Sequence, residues 1–121
     1  MHIYSFEKLK VWQNTRKLTN KVYLITRDFP ADEKFGLVSQ MRRAAISISS
    51  NIAEGSSRKT AKDQAHFYNM AYSSGLELLS QIILSLDLKF INKSTYEILR
   101  ETIEQITNQI NSLVKSIKQT C

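Results

Sequence analysis

Residues Ser94–Ile117 read STYEILRETIEQITNQINSLVKSI, and the apolar positions among them decide the fold. Tyr96, Leu99, Ile103, Ile106, Ile110, Leu113 and Ile117 recur at alternating steps of three and four. That period lines one face of an α-helix with apolar side chains and leaves the charges on the other faces. Ser94-Thr95-Tyr96-Glu97 reads as the capping box that starts it, with Ser94 as N-cap and Glu97 at N3. Working back, Ala61, Ala65, Tyr68, Ala71, Gly75, Leu79, Ile82 and Leu86 keep the same period, behind a weaker start at Thr60-Ala61-Lys62-Asp63. Val38, Met41, Ala45, Ile48 and Ile52 form a further stripe, and Thr15, Leu18, Val22, Ile25 and Phe29 another, with Trp12 one turn earlier. Such stripes suit bundle helices packed along an a/d seam.

Punctuation agrees with four segments. Pro30 pushes its predecessor out of the helical region, so the first helix is expected to end near Asp28 or Phe29. Gly55, in Glu54-Gly55-Ser56-Ser57-Arg58, reads as the C-cap of the second helix. Asp32 and Glu33 are expected in that helix's first turn, where its dipole favours negative charge. The third break falls at Phe90-Ile91-Asn92-Lys93. With only 3 Gly and 1 Pro in 121 residues, turns are few and elements long, which excludes a many-stranded sandwich or barrel. A single cysteine, Cys121, excludes a disulfide scaffold and, with no Cys or His near it, reads as inert. No apolar run approaches the roughly 20 residues of a membrane span. Met1-His2-Ile3-Tyr4-Ser5-Phe6 lacks a signal pattern, so a cytoplasmic protein is expected. The expected architecture is an all-α, antiparallel up-down-up-down four-helix bundle. It forms one domain over residues 1–121, with helices at about 6–28, 32–54, 60–88 and 94–118.

The second helix is unusual away from its core stripe. Ile46, Ser49, Ser50 and Ala53 make one flank small or apolar, where a solvent-facing flank normally carries long charged residues. Two readings fit: a helix well buried in its own bundle, or a subunit interface formed by Ile46, Ser49, Ser50, Asn51, Ala53 and Glu54. Asn51 and Glu54, one turn apart, could bond each other or Arg43 across such a seam. Ser73-Ser74-Gly75 is a second small-residue patch, suited to close helix packing within the chain.

The formal net charge of +6 is unevenly placed. Residues 1–62 carry twelve positive and five negative side chains, net +7; residues 63–121 carry five and six, net −1. Lys10, Arg16, Lys17 and Lys21 lie on the polar side of the first helix, Arg42 and Arg43 start the small-residue block, and Arg58, Lys59 and Lys62 cluster at the start of the third helix. These nine are the candidate nucleic-acid contacts, since backbone phosphates attract cations without reading sequence, and the free N–H groups of a helix start add to that attraction. A solvated basic face that only aids solubility is the alternative. Trp12, Tyr23 and Tyr68 sit on or near apolar stripes and read as core.

Three segments carry a family resemblance: Val11-Trp12-Gln13, the run from Phe29 to Leu37, and Gln40-Met41-Arg42-Arg43-Ala44-Ala45 through Asn51-Ile52-Ala53-Glu54-Gly55. They closely resemble the four-helix-bundle family encoded in intervening sequences of 23S ribosomal RNA genes, some members of which are described as ribosomal proteins. The likeness continues through Tyr68, Ala71, Ser74, Leu76, Glu77 and Leu78. It implies an up-down bundle that assembles as a homopentameric ring, and it implies no established activity. The accessory variability determinant of diversity-generating retroelements, a basic pentameric barrel that works with a reverse transcriptase and nucleic acid, is structurally similar to that family.

Catalytic signatures do not emerge. His2 is terminal. His66 has Lys62 and Met70 one turn away, and neither could orient a base or complete a metal site. No Glu-x-x-His pair of the di-iron bundles occurs. Arg58 and His66 are separated by seven residues across a helix start, which suits a small helical ribonuclease poorly. No glycine-rich phosphate loop or Gly-x-Ser-x-Gly elbow is present. A structural network explains Asn51 and Glu54 more simply than catalysis. The expectation is therefore a non-enzymatic, self-assembling bundle without metal or cofactor that binds nucleic acid, structured RNA foremost. The alternative is a scaffold that recruits a partner protein, and a nuclease is a third reading.

Overall fold

The computed structural model describes residues 1–119, so the expectation for Cys121 lies outside the described residues. Four helices are found there, and no strand: α1 (Lys10–Thr26), α2 (Leu37–Ser57), α3 (Ala61–Asp87) and α4 (Lys93–Gln119), with short 3-10 turns at Ser5–Lys8 and Ala31–Glu33. They pack in a closed order, α1 on α2, α2 on α3, α3 on α4 and α4 on α1, and among the described residues the diagonal pairs make no close backbone approach. Among the described residues, no helix is long and apolar enough to cross a membrane.

The core draws on all four helices, with Leu18 and Val22 of α1 and Leu78 and Ile82 of α3 packed among the stripes of α2 and α4. Val38, Met41, Ala45, Ile48 and Ile52 are all buried, as are Leu99, Ile103, Ile106 and Ile110. Each fully buried Leu or Ile contributes about 1.5–3 kcal/mol relative to exposure. Every ion pair among the described residues is an (i, i+4) surface pair, worth roughly 0.3–0.5 kcal/mol. Burial therefore holds the fold. In α3 the buried line runs Tyr68, Ala71, Gly75, Leu78, Ile82 and Ser85, while the expected Leu79 and Leu86 are only half-buried. The observed line alternates steps of three and four, the strict heptad of a bundle seam, whereas the expected stripe took two successive steps of four after Ala71 and so left the seam at Leu79 and Leu86.

Helix ends depart from expectation in instructive ways. The first helix, expected from residue 6, is interrupted at Leu9, whose ψ of 126° is extended. Its far end tightens into 3-10 form, with Phe29 N–H donating to Thr26 O at 3.2 Å just before Pro30. Asp32 and Glu33 lie in a separate turn before α2 and not in its first turn. Glu33 still caps that helix from outside, its Oε1 accepting from Leu37 N–H at 3.1 Å. Gly55 is not a C-cap: α2 continues to Ser57, and no glycine has positive φ. Gly55 is buried beneath Tyr68, where an added Cβ would stand 2.7 Å from Tyr68 Cε1. Thr60 caps α3 as expected, accepting from Asp63 N–H at 3.1 Å. The cap of α4 is Asn92, whose Oδ1 accepts from Thr95 N–H at 2.8 Å, so the Ser94–Glu97 box is not formed.

Between α3 and α4 the chain turns at Lys89, a non-glycine residue at φ 64°. Phe90 N–H donates to Ser85 O at 2.9 Å and Lys89 N–H to Leu86 O at 3.0 Å, the paired bonds of a Schellman end.

Side-chain bonds fix how neighbouring helices sit. Asn14 Nδ2 donates to Gln109 Oε1 at 3.0 Å, Ser49 Oγ to Thr15 Oγ1 at 3.0 Å, and Ser47 and Ser74 hydroxyls meet at 2.9 Å.

Candidate nucleic-acid interface

Lys10, Arg16, Lys17 and Lys21 are all exposed on α1, and none has an ion-pair partner among the described residues. The helix exposes them because its buried line, Val11, Thr15, Leu18 and Val22, takes one face, leaving Lys10, Lys17 and Lys21 on one side of it and Arg16 on the other. The Arg16 guanidinium lies 5.7 Å from the Trp12 ring, so its stem covers a half-buried aromatic while its charge stays in solvent.

The two adjacent arginines of α2 differ. Arg43 is exposed and unpaired among the described residues. Arg42 is half-buried and ties α2 to α1: Nε donates to Thr26 Oγ1 at 3.0 Å, one terminal nitrogen reaches Tyr23 O at 3.4 Å, and the guanidinium lies 4.4 Å from the Tyr23 ring. Its first role is thus structural, which neighbouring Arg43 does not share.

At the α2–α3 loop the expected phosphate cradle is partly occupied. Arg58 pairs with Glu54 at 3.2 Å and stacks on Phe67 at 4.5 Å. A shallow depression of about 320 Å³ there is lined by Arg58 and Lys59 but also by Glu54 and Asp63. Thr60 uses one of the free N–H groups of the helix start. Lys59 and Lys62 remain exposed. The structure therefore offers two cationic side chains at this end without an open ring of donors.

Of the six residues read as a subunit interface, three already have partners in their own chain. Ser49 bonds Thr15, Asn51 Nδ2 donates to Ser47 O at 2.9 Å and to Ser47 Oγ at 3.1 Å, and Glu54 pairs with Arg58. Ser49 thus reaches toward α1, while it still borders, with Ile46 and Ser50, a shallow depression of about 300 Å³ between α1 and α2. Within the chain no bond joins Asn51, Glu54 and Arg43. Ile46 and Ser50 are exposed and Ala53 is half-buried, and these three keep a small, uncharged surface on α2. His66 is exposed, its ring edge-on to Phe67. No group of metal-ligating side chains converges among the described residues.

One residue of this surface escapes the sequence reading. Phe35 is 88% exposed, beside Lys34 Nζ at 5.5 Å from its ring. The available signal was its place between Lys34 and Gly36, off every apolar stripe. With Tyr23, Arg42, Arg43 and Ile46 it borders a cleft of about 470 Å³ between α1 and the start of α2.

Comparison with known proteins places this geometry in a family. A solved structure of a protein of unknown function from the S23 ribosomal protein family of Bacteroides thetaiotaomicron superposes with a TM-score of 0.78 at 19% identity, covering 87% of this chain and 98% of that one. At that identity the likeness establishes the fold alone. No curated protein matches in sequence. Residues 7–112 match the family described as 23S rRNA-intervening sequence protein, and over that span, which includes α1, α2, α3 and most of α4, the chain belongs to it.

Proposed function

We propose that this protein is a non-enzymatic, self-assembling four-helix bundle that binds nucleic acid, structured RNA foremost, through the basic surface of residues 1–62. The observation that carries the reading is the confinement of the positive excess to that half, net +7 against −1, with the α1 cations exposed and unpaired among the described residues. Cations presented to solvent retain their charge for phosphates, and release of the phosphates' counterions drives association. Membership of a family described by ribosomal RNA points the same way.

Neighbouring helices run antiparallel in this proposal. The α2–α3 connection is only residues 58–60, too short to return along a helix of about 30 Å. Assembly would use the small surface of Ile46, Ser50 and Ala53, and five subunits is the number the family resemblance implies. A ring would repeat each basic cluster around its axis.

A salt series tests the reading. A structured RNA and a DNA duplex should both bind at low salt, with log affinity falling linearly against log salt. No binding at low salt, or binding indifferent to salt, would refute it. A scaffold that recruits a protein is the second reading, favoured by Leu76, Leu84 and Leu88, each about half exposed on or beside α3. A saturable protein partner that survives nuclease treatment would support it.

A further inference from the structure

We propose that the cleft beside Phe35 is a stacking site for an unpaired nucleobase, with Lys34 and Arg43 taking the adjoining phosphates. The inference rests on the nucleic-acid reading above and narrows it, from backbone attraction in general to a site selective for single-stranded or looped RNA.

Four observations meet here. First, Phe35 holds a full aromatic ring in solvent, at 88% exposure, in a chain whose other aromatics largely lean on the core or on one another. An exposed ring of this kind gives nothing to folding, and every base offers a π face to stack on it. Second, the cleft lining includes Val38, an apolar side chain only 8% exposed, so a base entering it meets apolar surface. Third, Arg42 presents a guanidinium already stacked on Tyr23 at 4.4 Å. Two of its five N–H donors are used by Thr26 and Tyr23, and the plane of an arginine held this way is itself a platform for a base. Fourth, the lining is uniformly positive in its charged members: Lys34, Arg42 and Arg43, with no carboxylate among them. The nearest acid in sequence, Glu33, has one oxygen engaged by Leu37 N–H. At about 470 Å³ the space lies in the roughly 300–1,000 Å³ range of small-ligand clefts.

Geometry sets the selectivity. A duplex keeps its bases stacked on each other and shows a protein mainly phosphates and groove edges. Only an unpaired base can put its face against Phe35. The α1 cations would bind duplex and single strand alike, whereas this cleft adds affinity for the single strand alone.

Fluorescence anisotropy with a short labelled oligoadenylate, and with an RNA duplex of equal length, tests the proposal over a salt series. Variants are Phe35→Ala, Phe35→Trp and Arg43→Gln, all at exposed positions, with helicity and oligomeric mass checked for each. Phe35→Ala should weaken oligoadenylate binding by about 5- to 150-fold, the range of one lost base–aromatic stack, while leaving duplex binding and the salt slope unchanged. Phe35→Trp should retain binding, with indole fluorescence quenched by the oligonucleotide beyond the quenching seen with Trp12 alone. Arg43→Gln should lower the magnitude of the single-strand salt slope by about 0.7, as one lost phosphate contact. Unchanged oligoadenylate affinity in Phe35→Ala overturns the stacking site and leaves the broader reading standing, as does wild-type protein that binds only the duplex. A fall in oligomeric mass in Phe35→Ala would assign the ring to a subunit contact and equally overturn the proposal. Wild-type protein that binds neither probe at low salt removes both.

Discussion

Replacing Gly55 by alanine sets two effects of opposite sign against each other at one atom. Inside a helix, alanine is favoured over glycine by about 0.8–1 kcal/mol. Gly55 lies inside α2, two residues before its end, without positive φ, so it collects most of that gain and meets no backbone penalty. Against this, the new Cβ would stand 2.7 Å from Tyr68 Cε1 and 2.9 Å from Cδ1, with Phe67 Cβ at 3.2 Å. Carbon atoms rest at about 3.5–4.0 Å, so the ring must retreat by about 0.8 Å or more. Tyr68 is only 4% exposed and is held in the core, and overpacking of that kind costs about 1–3 kcal/mol. The net expectation is destabilisation of about 1 kcal/mol. Gly75 supplies the control. It lies mid-α3, where alanine brings the same propensity gain, and its added Cβ meets only Thr107 Cγ2, at 3.2 Å. Gly75→Ala should therefore be close to neutral. Urea denaturation at one fixed protomer concentration would read both, because self-assembly, if it occurs as proposed, makes stability depend on concentration. In a double-mutant cycle, Tyr68→Leu should make Gly55→Ala less costly, since the obstructing ring is gone. Gly55→Ala as stable as wild type, or no coupling to Tyr68→Leu, would refute the packing account of this glycine.

Three further outcomes follow from named contacts. Arg42→Met removes two hydrogen bonds and a cation–π contact and should cost about 1–3 kcal/mol in urea denaturation, whereas Arg43→Met, one residue on, should stay within about 0.5 kcal/mol and act on nucleic-acid affinity instead. Ala53→Glu should lower the mass measured by light scattering with helicity retained, and a mass unchanged from wild type would remove that flank from the subunit contact. Burial pushes the Tyr68 phenol above its usual value of 10.0 by disfavouring the charged form. The folded state then holds this proton more tightly than the unfolded state, so the contribution is complete below pH 10 and is lost as pH rises through the folded value. Tyr68→Phe should flatten that alkaline part of the stability curve, and an unchanged slope would exclude the phenol as its source.

The elements were largely legible because helix existence depends on local periodicity. The stripe from Tyr96 to Ile117 and the start at Thr60 needed nothing beyond neighbours in sequence. The ends of α3 and the start of α4 fell within a residue of expectation, but the chemistry that makes several helix ends was not legible, for local reasons. Lys89 makes a left-handed turn without the glycine that usually marks one. Asn92 captures the cap of α4 two residues before the Ser-Thr pair that resembles a box. Glu33 caps α2 from a separate turn, which a reading of consecutive residues places inside the helix. The candidate site was less legible than the fold. Charge count found the basic half but treated Arg42 and Arg43 as equals, because nothing in the dipeptide says which side chain meets Thr26 and Tyr23. The flank of Ile46, Ser49, Ser50 and Ala53 was visible as a small surface. That Ser49 bonds Thr15 while Ser50 faces solvent depends on where α1 lies across it.

What the sequence alone determined here is the class of structure and the half that carries the charge, since both follow from composition and spacing along the chain. Helical period, scarce glycine and proline, and the distribution of lysine and arginine are one-dimensional properties, and folding does not change them. Tertiary structure decided the roles of individual side chains. Gly55 became a contact beneath Tyr68, Arg42 a tie between two helices, and Phe35 an aromatic ring left in water, because each role depends on residues distant in sequence, or on their absence. A single chain's pattern states how many apolar faces must be covered. Only the packed helices state what each face meets and which groups are left over for a partner.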